Sequence, residues 1–327
     1  MSRTYVPPGG APPISGLALG LDVGGTKIAA GLVDLSSGLI LTKRVIPTRA
    51  TRGGDAVLAD ALVLARELDG DATARGIDVL GIGVGVAELV DRDGAVRSEH
   101  AIRWKGLPVR EHFGKIAPAI VESDVRAAAL GEALYGAGAE YRLFAYVTVG
   151  TGISSCLVSE GHPLAGARGN ALVLASSPLS TTCQECGAQL HQVLEDFASG
   201  PALVARLNAL TPGRAARGED VLAAANGGEV AAVEVVCTAG YALGNSVAFL
   251  VNIADPEAVV VGGGLGHVGG LYWESLVASI REHIYGDATC ELPIVPAALG
   301  PDAGLVGAAA SAVRSQHPEP VTAGGAP

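Results

Sequence analysis

Short apolar runs that alternate with glycine-rich turns dominate the first part of the chain. Apolar residues fill 16–24 and 27–35 on either side of a Gly-Gly-Thr turn, which predicts a β-hairpin, and 38–48 supplies a third strand. Apolar residues recur at helical spacing over 54–76, which predicts a helix. The apolar run 79–89 then predicts a buried strand that enters a glycine-rich turn.

The same order of elements recurs further along the chain. Residues 110–124 predict a short helix followed by a strand, and 125–138 predict a helix that ends in glycine. Two strands around Gly-Thr-Gly are expected within 142–164, as the first segment has two around Gly-Gly-Thr. The rest of the pattern predicts a strand at 258–266 that ends in three glycines, and helices within 191–210, 227–254, 269–284 and 299–315. Two similar halves of this kind predict an α/β protein with two lobes.

The length of 327 residues, 49% of them hydrophobic, is sufficient for two hydrophobic cores. We expect a small N-terminal lobe at 17–123 and a larger C-terminal lobe at 124–315, with the last helix as a candidate to pack back on the first lobe. Disordered tails are expected at 1–16 and 316–327. The start of the chain lacks the basic and apolar regions of a signal peptide, and no unbroken apolar run reaches the length of a membrane span, so we expect a cytoplasmic protein.

The net charge of -11, with no basic cluster, argues against nucleic acid as a partner. If an acidic protein of this kind binds phosphates, it must do so through backbone N–H groups, helix N-termini and a metal ion. Only four of the 22 basic residues are lysines, which is typical of GC-rich bacterial genomes. The five cysteines do not form a disulfide framework in a chain of this length, and only Cys183 and Cys186 lie close together.

Four glycine-rich turns carry the strongest chemical signal. A single Gly-Gly-Thr turn is more often structural, because glycine allows the positive φ of a hairpin. Four such turns, at 22–27, 149–152, 261–266 and 300–309, each follow or link strands and can present N–H donors to phosphates. The candidate residues for binding phosphates and a nucleotide are Asp22, Gly24, Gly25, Thr26, Lys27, Gly150, Thr151, Gly152, Gly262, Gly263 and Gly264.

The order of these turns resembles that of the ROK group of bacterial, glucokinase-like sugar kinases, which belong to the superfamily of hexokinase and actin. The resemblance covers residues 17–315, nearly the whole chain. It implies a two-lobed actin/hexokinase-like (ribonuclease H-like) fold, with duplicated mixed sheets and a cleft between the lobes. In that family the D-x-G-G-T-K hairpin is the first phosphate loop, G-T-G is the second, and G-G-G contacts adenosine. ATP, Mg²⁺ and a homodimer are therefore expected.

The resemblance also assigns a general base. The family's catalytic Asp ends a strand and opens an Ala-rich helix, and Asp124 in VESDVRAAALGE occupies that position. A carboxylate held at a helix N-terminus can take the proton of an attacking hydroxyl, although Asp is also a common N-cap. Asp22 is the best candidate to hold a metal-bound water, and an ordinary turn carboxylate is the alternative.

The acceptor site departs from the family pattern. Family members hold a pyranose through an Asn four residues before a Trp, the Asn of N-D, the Glu and His of A-G-E-x-G-H, and a later Glu. The corresponding residues here are His100, Ser123, Val173, Ser176 and Glu195, and only Glu195 matches. His100 is either an acceptor contact or a surface histidine. The lost polar groups predict an acceptor other than glucose, such as a cyclitol or a modified sugar.

The family's zinc site is also incomplete. Ser176 replaces its His, but Cys183, Cys186 and His191 form a C-x₂-C-x₄-H array of three plausible zinc ligands, with His162 as a candidate fourth. The alternative is two reduced thiols in a loop.

The residues thus favour an ATP-dependent kinase that phosphorylates a small polyhydroxy acceptor. An ordinary hexose or N-acetylhexosamine kinase and a catalytically silent sensor are the alternatives. Some relatives are repressors with a helix-turn-helix ahead of the D-x-G-G-T motif, and sixteen residues before Leu17 are too few for one. Polyphosphate, which some relatives use as the donor, is less favoured because the acidic chain offers no basic track.

Overall fold

A computed structural model of the chain describes residues 15–182, 189–266 and 269–314. The chain divides into two compact units. Of the described residues, the first comprises 15–135, Ala167–Gly169 and 302–314, and the second comprises Gly136–Gly166 and those within Asn170–Pro301.

A mixed five-stranded sheet forms the centre of the first unit. Its strands lie in the order β3-β2-β1-β4-β5, in which β1, β2 and β3 are antiparallel neighbours and β1, β4 and β5 run parallel. The helices and strands of this unit up to Tyr135 are β1 (Leu17–Val23), β2 (Lys27–Asp34), β3 (Leu39–Pro47), α1 (Gly54–Thr73), β4 (Ile82–Val86), α2 (Val109–Phe113), β5 (Ala119–Ser123) and α3 (Asp124–Tyr135). The predicted hairpin is confirmed, since β1 pairs with β2 from Leu17 with Asp34 to Val23 with Ile28.

The second unit repeats this plan. Its elements are β6 (Leu143–Val149), β7 (Ile153–Ser159), β8 (His162–Pro163), β9 (Pro178–Thr182), β10 (Gln189–Val193), α4 (Leu194–Ala198), α5 (Gly200–Leu210), α6 (Gly218–Asn226), α7 (Val230–Ala254), β11 (Ala258–Gly262), α8 (Gly263–Gly266), α9 (Leu271–His283) and β12 (Ile294–Pro296). The sheet order β8-β7-β6-β11-β12 has the same strand directions as the first sheet. The expected duplication of a mixed sheet is thereby confirmed.

Helix α7 is the centre of the second core. Its buried residues pack against α9, α6 and α4. Its 25 residues are long and apolar enough to cross a membrane by length and composition, but 56% of the apolar stretch is buried inside the protein. A buried core helix passes the same test.

The helices predicted within 191–210 are confirmed, but this segment also contains a strand that was not predicted. It begins in β10, which pairs with β9, and continues as the separate helices α4 and α5. Ser199 interrupts the helix with an extended backbone, and its hydroxyl accepts a hydrogen bond from the Ala202 N–H as the N-cap of α5. Helix α6 and strand β12 also lie outside the elements predicted from the sequence.

The last helix, α10 (Ala303–Arg314), packs against β1, β4 and α3 of the first unit. Unit 1 therefore includes α3, and its first segment ends at Tyr135 rather than at the expected boundary of residue 123, because α3 and α10 bury each other's faces. Helix α10 is built mainly from Ala and Gly, so its backbone approaches the sheet closely.

Glycines in the strands permit that approach. A Cβ atom at Gly20 in β1 would collide with the Leu305 carbonyl oxygen, and one at Gly83 in β4 would collide with the carbonyl oxygen of Ala308. On the other side of α10, a Cβ at Gly307 would collide with the Ala127 carbonyl oxygen of α3. The packing of α10 between sheet and helix thus requires the absence of side chains at these points.

We predict that Gly83→Ala lowers the free energy of unfolding by about 1–3 kcal/mol, because the new methyl group must displace the α10 backbone. Gly70→Ala is the matched control, since Gly70 lies in α1 and a Cβ there meets no atom within 4 Å. It should be neutral or raise the free energy of unfolding by up to about 1 kcal/mol. Urea unfolding monitored by circular dichroism measures both, and equal effects of the two substitutions would contradict the packing argument.

Candidate functional site

Three carboxylates follow the carboxyl ends of three neighbouring parallel strands in the first unit. Asp22 is the penultimate residue of β1, Glu88 lies two residues beyond β4, and Asp124 directly follows β5. The register aligns the ends of these strands, because Val23 pairs with Val86 and Val86 pairs with Ser123. The carboxyl edge of such a sheet is the usual place for a ligand site in α/β proteins.

Asp124 is the first residue of α3, and its side chain is partly buried. Its Oδ1 accepts a hydrogen bond of 2.7 Å from the N–H of Val125, the next residue, whereas an N-cap accepts from a residue two or three positions further on. Burial raises the pKa of Asp124 to about 7, the charges of Asp22 and Glu88 add to this rise, and the Val125 hydrogen bond and Arg126 oppose it.

Asp22 lies beside the start of α10. A Cβ atom at Gly304 would lie 3.0 Å from the Asp22 carboxyl carbon, so the helix reaches this side chain closely only because residue 304 is glycine. Burial raises the pKa of Asp22 to about 6, and Lys27 opposes this rise. Lys43 also lowers this pKa, but its ammonium group is paired with Asp302, whose charge raises it.

Glu88 was not among the residues predicted from the sequence. It is 5% exposed and accepts hydrogen bonds from four groups of the segment Ser98–Ile102. Burial alone would raise its pKa, but these hydrogen bonds outweigh burial and lower the pKa below its usual value. Its position after a buried strand, parallel to the strands that precede Asp22 and Asp124, is the signal that could have identified it.

Arg126 is a second residue that sequence reasoning missed. Its buried guanidinium group pairs with Glu122, with Nε 2.6 Å from a carboxylate oxygen. It also donates to the carbonyl oxygens of Gly169, at 2.6 Å, and Val90, at 2.7 Å. Helix α3 therefore ties two loops of the first unit to its first turn, close to Asp124.

The Gly-Gly-Thr turn has no need of glycine for its own packing. Gly24 and Gly25 have ordinary negative φ angles, and a Cβ at either would meet neighbouring atoms no closer than 3.4 Å. The turn is closed by the Gly24 N–H, which donates to the Lys27 carbonyl oxygen at 3.0 Å, and by Thr48, whose hydroxyl donates to Gly24 O at 2.5 Å. Thr26 and Lys27 are exposed.

The segment that contains His100 lies close in space to this turn. The side chain of Ala101, the residue after His100, would be the nearest group to a Cβ at Gly25, at 3.4 Å. His100 itself is exposed, and its backbone N–H donates to Glu88. Ser123 is buried at the end of β5. The first unit thus brings together the first glycine turn, Asp22, Asp124, Ser123 and the His100 segment.

The second unit brings the second and third glycine turns together. A Cβ at Gly150 would lie 3.6 Å from the Gly264 nitrogen, and Gly264 itself has open space around it. Gly263 differs, because it has a φ of 82° and a Cβ there would collide with the Val149 carbonyl oxygen. Gly262 also needs its small size, since a Cβ would lie 2.6 Å from the Tyr146 hydroxyl. Thr151, between the two glycines of the second turn, is exposed.

Glu195, on α4, contacts the second glycine turn. Its Oε2 accepts a hydrogen bond of 2.7 Å from the Ile153 N–H, and a Cβ at Gly152 would lie 2.7 Å from the same oxygen. Val173 is 42% exposed and directly precedes a 3-10 turn at Leu174–Ser176. The exposed Ser176 donates its hydroxyl proton to the Val173 carbonyl oxygen at 2.8 Å.

The structure describes only part of the predicted zinc site. Cys183 and Cys186 lie outside the described residues, in the connection between β9 and β10, and His191 lies on β10. His162 lies on β8, where its Nδ1 is 2.8 Å from the carbonyl oxygen of Glu160. Within the described ranges, no group of three or more His, Cys, Asp or Glu residues could hold a metal ion. Zinc binding therefore stays a prediction.

Known proteins resemble the chain over most of its length. The family model of the ROK family matches residues 18–315. A glucokinase of Streptomyces coelicolor is 32% identical, over 94% of this chain and 99% of the relative. An N-acetylmannosamine kinase of Citrobacter koseri is 29% identical, over 89% of this chain and 97% of the relative. The crystal structure of a ROK family glucokinase from Streptomyces griseus with glucose and AMPPNP has a TM-score of 0.78 and 30% identity, covering 91% of this chain and all of that one.

The raised pKa of Asp124 predicts a pH-dependent effect of Asp124→Asn on stability. The folded pKa of about 7 exceeds the unfolded value of 3.8, so ionisation of Asp124 costs folding free energy as the pH rises between these values. Asparagine does not ionise, so the variant should gain stability relative to the wild type between pH 4 and pH 7. Urea unfolding across this window measures the difference.

Asp91→Asn is the control of opposite sign. Hydrogen bonds, first that from the Ala95 N–H, lower the pKa of Asp91, so its stabilising effect is present above its unfolded pKa and is lost as the pH falls. That variant should be destabilised at pH 7 and approach the wild type in acid. A stability difference for Asp124→Asn that does not change with pH would contradict the interpretation.

Proposed function

The chain belongs to the ROK family, and from that membership we propose that it is an ATP-dependent kinase of a small polyhydroxy acceptor, with Asp124 as the general base. The observation that carries this proposal is the position of Asp124. Its partly buried carboxylate lies at the carboxyl edge of the first sheet, at the same edge as Asp22 and the Gly-Gly-Thr turn.

The glycines that packing does not require support ATP as the donor. Gly24, Gly25, Gly150 and Gly264 have room for a Cβ atom and ordinary φ angles, so the fold alone does not explain why they are glycines. A ligand that lies directly on the backbone does explain it, and phosphates and nucleotides bind glycine turns at strand ends in this way.

Asp124 can act as a base because one of its oxygens is available. Oδ1 is held by the Val125 N–H, which fixes the orientation of the carboxylate. Oδ2 can accept the proton of the acceptor hydroxyl as the hydroxyl oxygen bonds to the γ-phosphorus and the bond to the leaving ADP oxygen breaks. A pKa of about 7 is close to the expected working pH, which suits a group that must hold the proton and then release it.

The residues around Asp22 fit a divalent cation. Asp22 and Asp124 are partly buried carboxylates with raised pKa values, the charge of Asp22 adds to the rise at Asp124, and Lys27 and Lys43 oppose the rise at Asp22. Asp22 would hold a water of a Mg²⁺ ion rather than the ion itself, because Mg²⁺ keeps several waters beside phosphates. When bound, the ion supplies neutralisation of the phosphate charge.

Val173 and Ser176 support an unusual acceptor. The exposed Val173 side chain offers no hydrogen bond where relatives of this family have a carboxylate, and the Ser176 hydroxyl proton is already donated to the backbone. An acceptor with an apolar edge, such as a cyclitol, a deoxy sugar or another modified sugar, leaves no hydroxyl unpaired there. The alternative is a hexose or an N-acetylhexosamine, the substrates named for the relatives.

Two further features belong to the proposal. We place the protein in the cytoplasm as a homodimer, and an apolar stripe on α7 is the candidate interface. Tyr241, Phe249 and Ile253 lie on one face of that helix and are exposed, and such patches commonly mark protein interfaces.

A panel assay tests the kinase proposal. ADP release is measured with ATP and Mg²⁺ over hexoses, N-acetylhexosamines, deoxy sugars, inositols and other cyclitols, beside Asp124→Ala. We expect one class of acceptor to stimulate ADP release, and the variant to lose about 10²- to 10⁴-fold in kcat, because the general base is gone. If no acceptor raises ADP release above the background of the variant, the protein is a silent binder. Replacing ATP by polyphosphate in the same assay distinguishes the donors.

A pair of substitutions tests the basis of acceptor choice. Val173→Glu combined with Ser176→His should raise kcat/KM for glucose or N-acetylmannosamine by roughly 10- to 100-fold, because each change restores a charge-assisted hydrogen bond to a hydroxyl. Val173→Leu combined with Ser176→Ala is the control, since it alters the same turn without adding polar groups. A wild-type protein that already phosphorylates glucose with a kcat/KM of about 10⁴ M⁻¹s⁻¹ or more would overturn this account.

A further inference from the structure

Glu88 is a buried carboxylate with no place in the phosphoryl transfer described above. It follows β4 and is only 5% exposed. Burying an ionised carboxylate is costly unless hydrogen bonds compensate for the lost water. The hydrogen-bond partners of Glu88 therefore determine whether its burial is stable.

All of these partners belong to one short segment. Oε1 accepts from the N–H groups of Ala101, at 2.7 Å, and Ile102, at 2.9 Å. Oε2 accepts from the His100 N–H at 2.8 Å and from the Ser98 hydroxyl. The Ser98 oxygen in turn accepts from the Leu89 N–H at 2.8 Å. Three consecutive backbone N–H groups thus converge on a single side chain.

The segment is anchored on its far side as well. Ile102 and Trp104 are fully buried, and the Trp104 indole N–H donates to the Gly54 carbonyl oxygen at 3.0 Å. The Ala101 side chain would be the nearest group, at 3.4 Å, to a Cβ atom at Gly25 in the first glycine turn. His100 has a fixed backbone between these anchors, while its imidazole is exposed.

Glu88 is not available as a second base or as a direct ligand of the acceptor. Each of its oxygens already accepts two hydrogen bonds, and hydrogen bonding keeps the carboxylate ionised. Its effect on a substrate must therefore pass through the backbone that it holds.

We propose that Glu88 is a positioning residue for the acceptor, which holds residues 98–102 in the conformation that presents His100 beside the first glycine turn. This inference rests on the proposed kinase function. It makes His100 a residue that contacts the acceptor rather than a surface histidine without a role. A fixed backbone at His100 limits the orientations of its imidazole, which favours one binding geometry of the acceptor.

The experiment compares Glu88→Gln with Asp91→Asn. The amide introduced by Glu88→Gln would turn an NH₂ group toward backbone N–H donors and release the segment. Asp91 is the matched control, because it also accepts from two backbone N–H groups of a neighbouring turn, those of Asp93 and Ala95, but holds no part of residues 98–102. KM for the acceptor and for ATP is measured for both variants with the acceptor that the panel identifies.

Glu88→Gln should raise KM for the acceptor roughly 10- to 100-fold, because a partner of several buried N–H groups is lost, and should leave KM for ATP within about twofold. Asp91→Asn should change neither KM by more than about twofold. Ser98→Ala removes one of the four hydrogen bonds, so it should give a smaller rise in the same direction and serves if Glu88→Gln does not fold. Equal rises of both KM values in Glu88→Gln and Ser98→Ala would overturn the proposal.

A pH profile distinguishes this role from general loss of structure. Asp124 faces Asp22 on β1, Arg126 on α3 and Glu88 after β4, and Asp22 in turn faces Lys27, Lys43 and Asp302. Removing the negative charge of Glu88 lowers the pKa of Asp124, so the acid limb of kcat/KM should move to lower pH in Glu88→Gln and stay in place in Asp91→Asn. An unmoved limb in both variants would contradict the placement of Glu88 beside Asp124.

Hydrogen exchange provides a measurement that does not need activity. The amides of residues 100–102 should be protected in the wild type and lose protection in Glu88→Gln, while Asp91→Asn should expose those of residues 93 and 95 instead. An inactive wild type with protected amides overturns the kinase proposal and with it this role for Glu88. An active wild type whose acceptor KM is unaffected by Glu88→Gln overturns the positioning role alone.

Discussion

The backbone of α10 lies against β1 and β4 at a separation that only glycine permits, and the carboxylates of the first unit depend on this contact. Gly20 and Gly83 admit the helix, Gly304 lets its first turn reach Asp22, and Gly307 admits α3. Helix α3 begins at Asp124, so the same packing positions both partly buried carboxylates. Close packing of this kind transmits a displacement of one element to its neighbours, because the interior has little free volume.

The three carboxylates at this edge show that burial alone does not determine charge. Asp22 and Asp124 have few hydrogen-bond donors, so burial raises their pKa values, and the charge of Asp302 adds to the rise at Asp22 as those of Asp22 and Glu88 do at Asp124. Glu88 has a smaller exposed fraction than either of them, yet four hydrogen-bond donors lower its pKa. A group that can exchange a proton near neutral pH therefore lies beside one that stays ionised, and the number of donors supplied by the backbone makes the difference.

Local pattern predicted much of this fold, and tertiary contacts explain what it missed. The hairpin of β1 and β2, the strands β4 to β7 and the start of α3 at Asp124 follow from apolar spacing and glycine turns. The strand β10 at the start of segment 191–210 was missed because it forms by pairing with β9, and such pairing is not visible in local spacing. Glu88 was missed because its donors lie ten to fourteen residues away in the chain. Asp124, in contrast, sits within a motif that its own neighbours define.

The position of α10 in the chain also constrains the order in which the protein can fold during synthesis. All strands of the first sheet have been translated once the ribosome has passed Ser123. The helix that covers this sheet spans Ala303–Arg314 and follows the second unit in the chain. A nascent chain therefore exposes the Gly20 and Gly83 face of that sheet until the last helix leaves the ribosome. The second unit has its own core of α7, α9 and β11 and can become compact earlier. Asp22 and Asp124 therefore reach their final surroundings only after α10 has been translated.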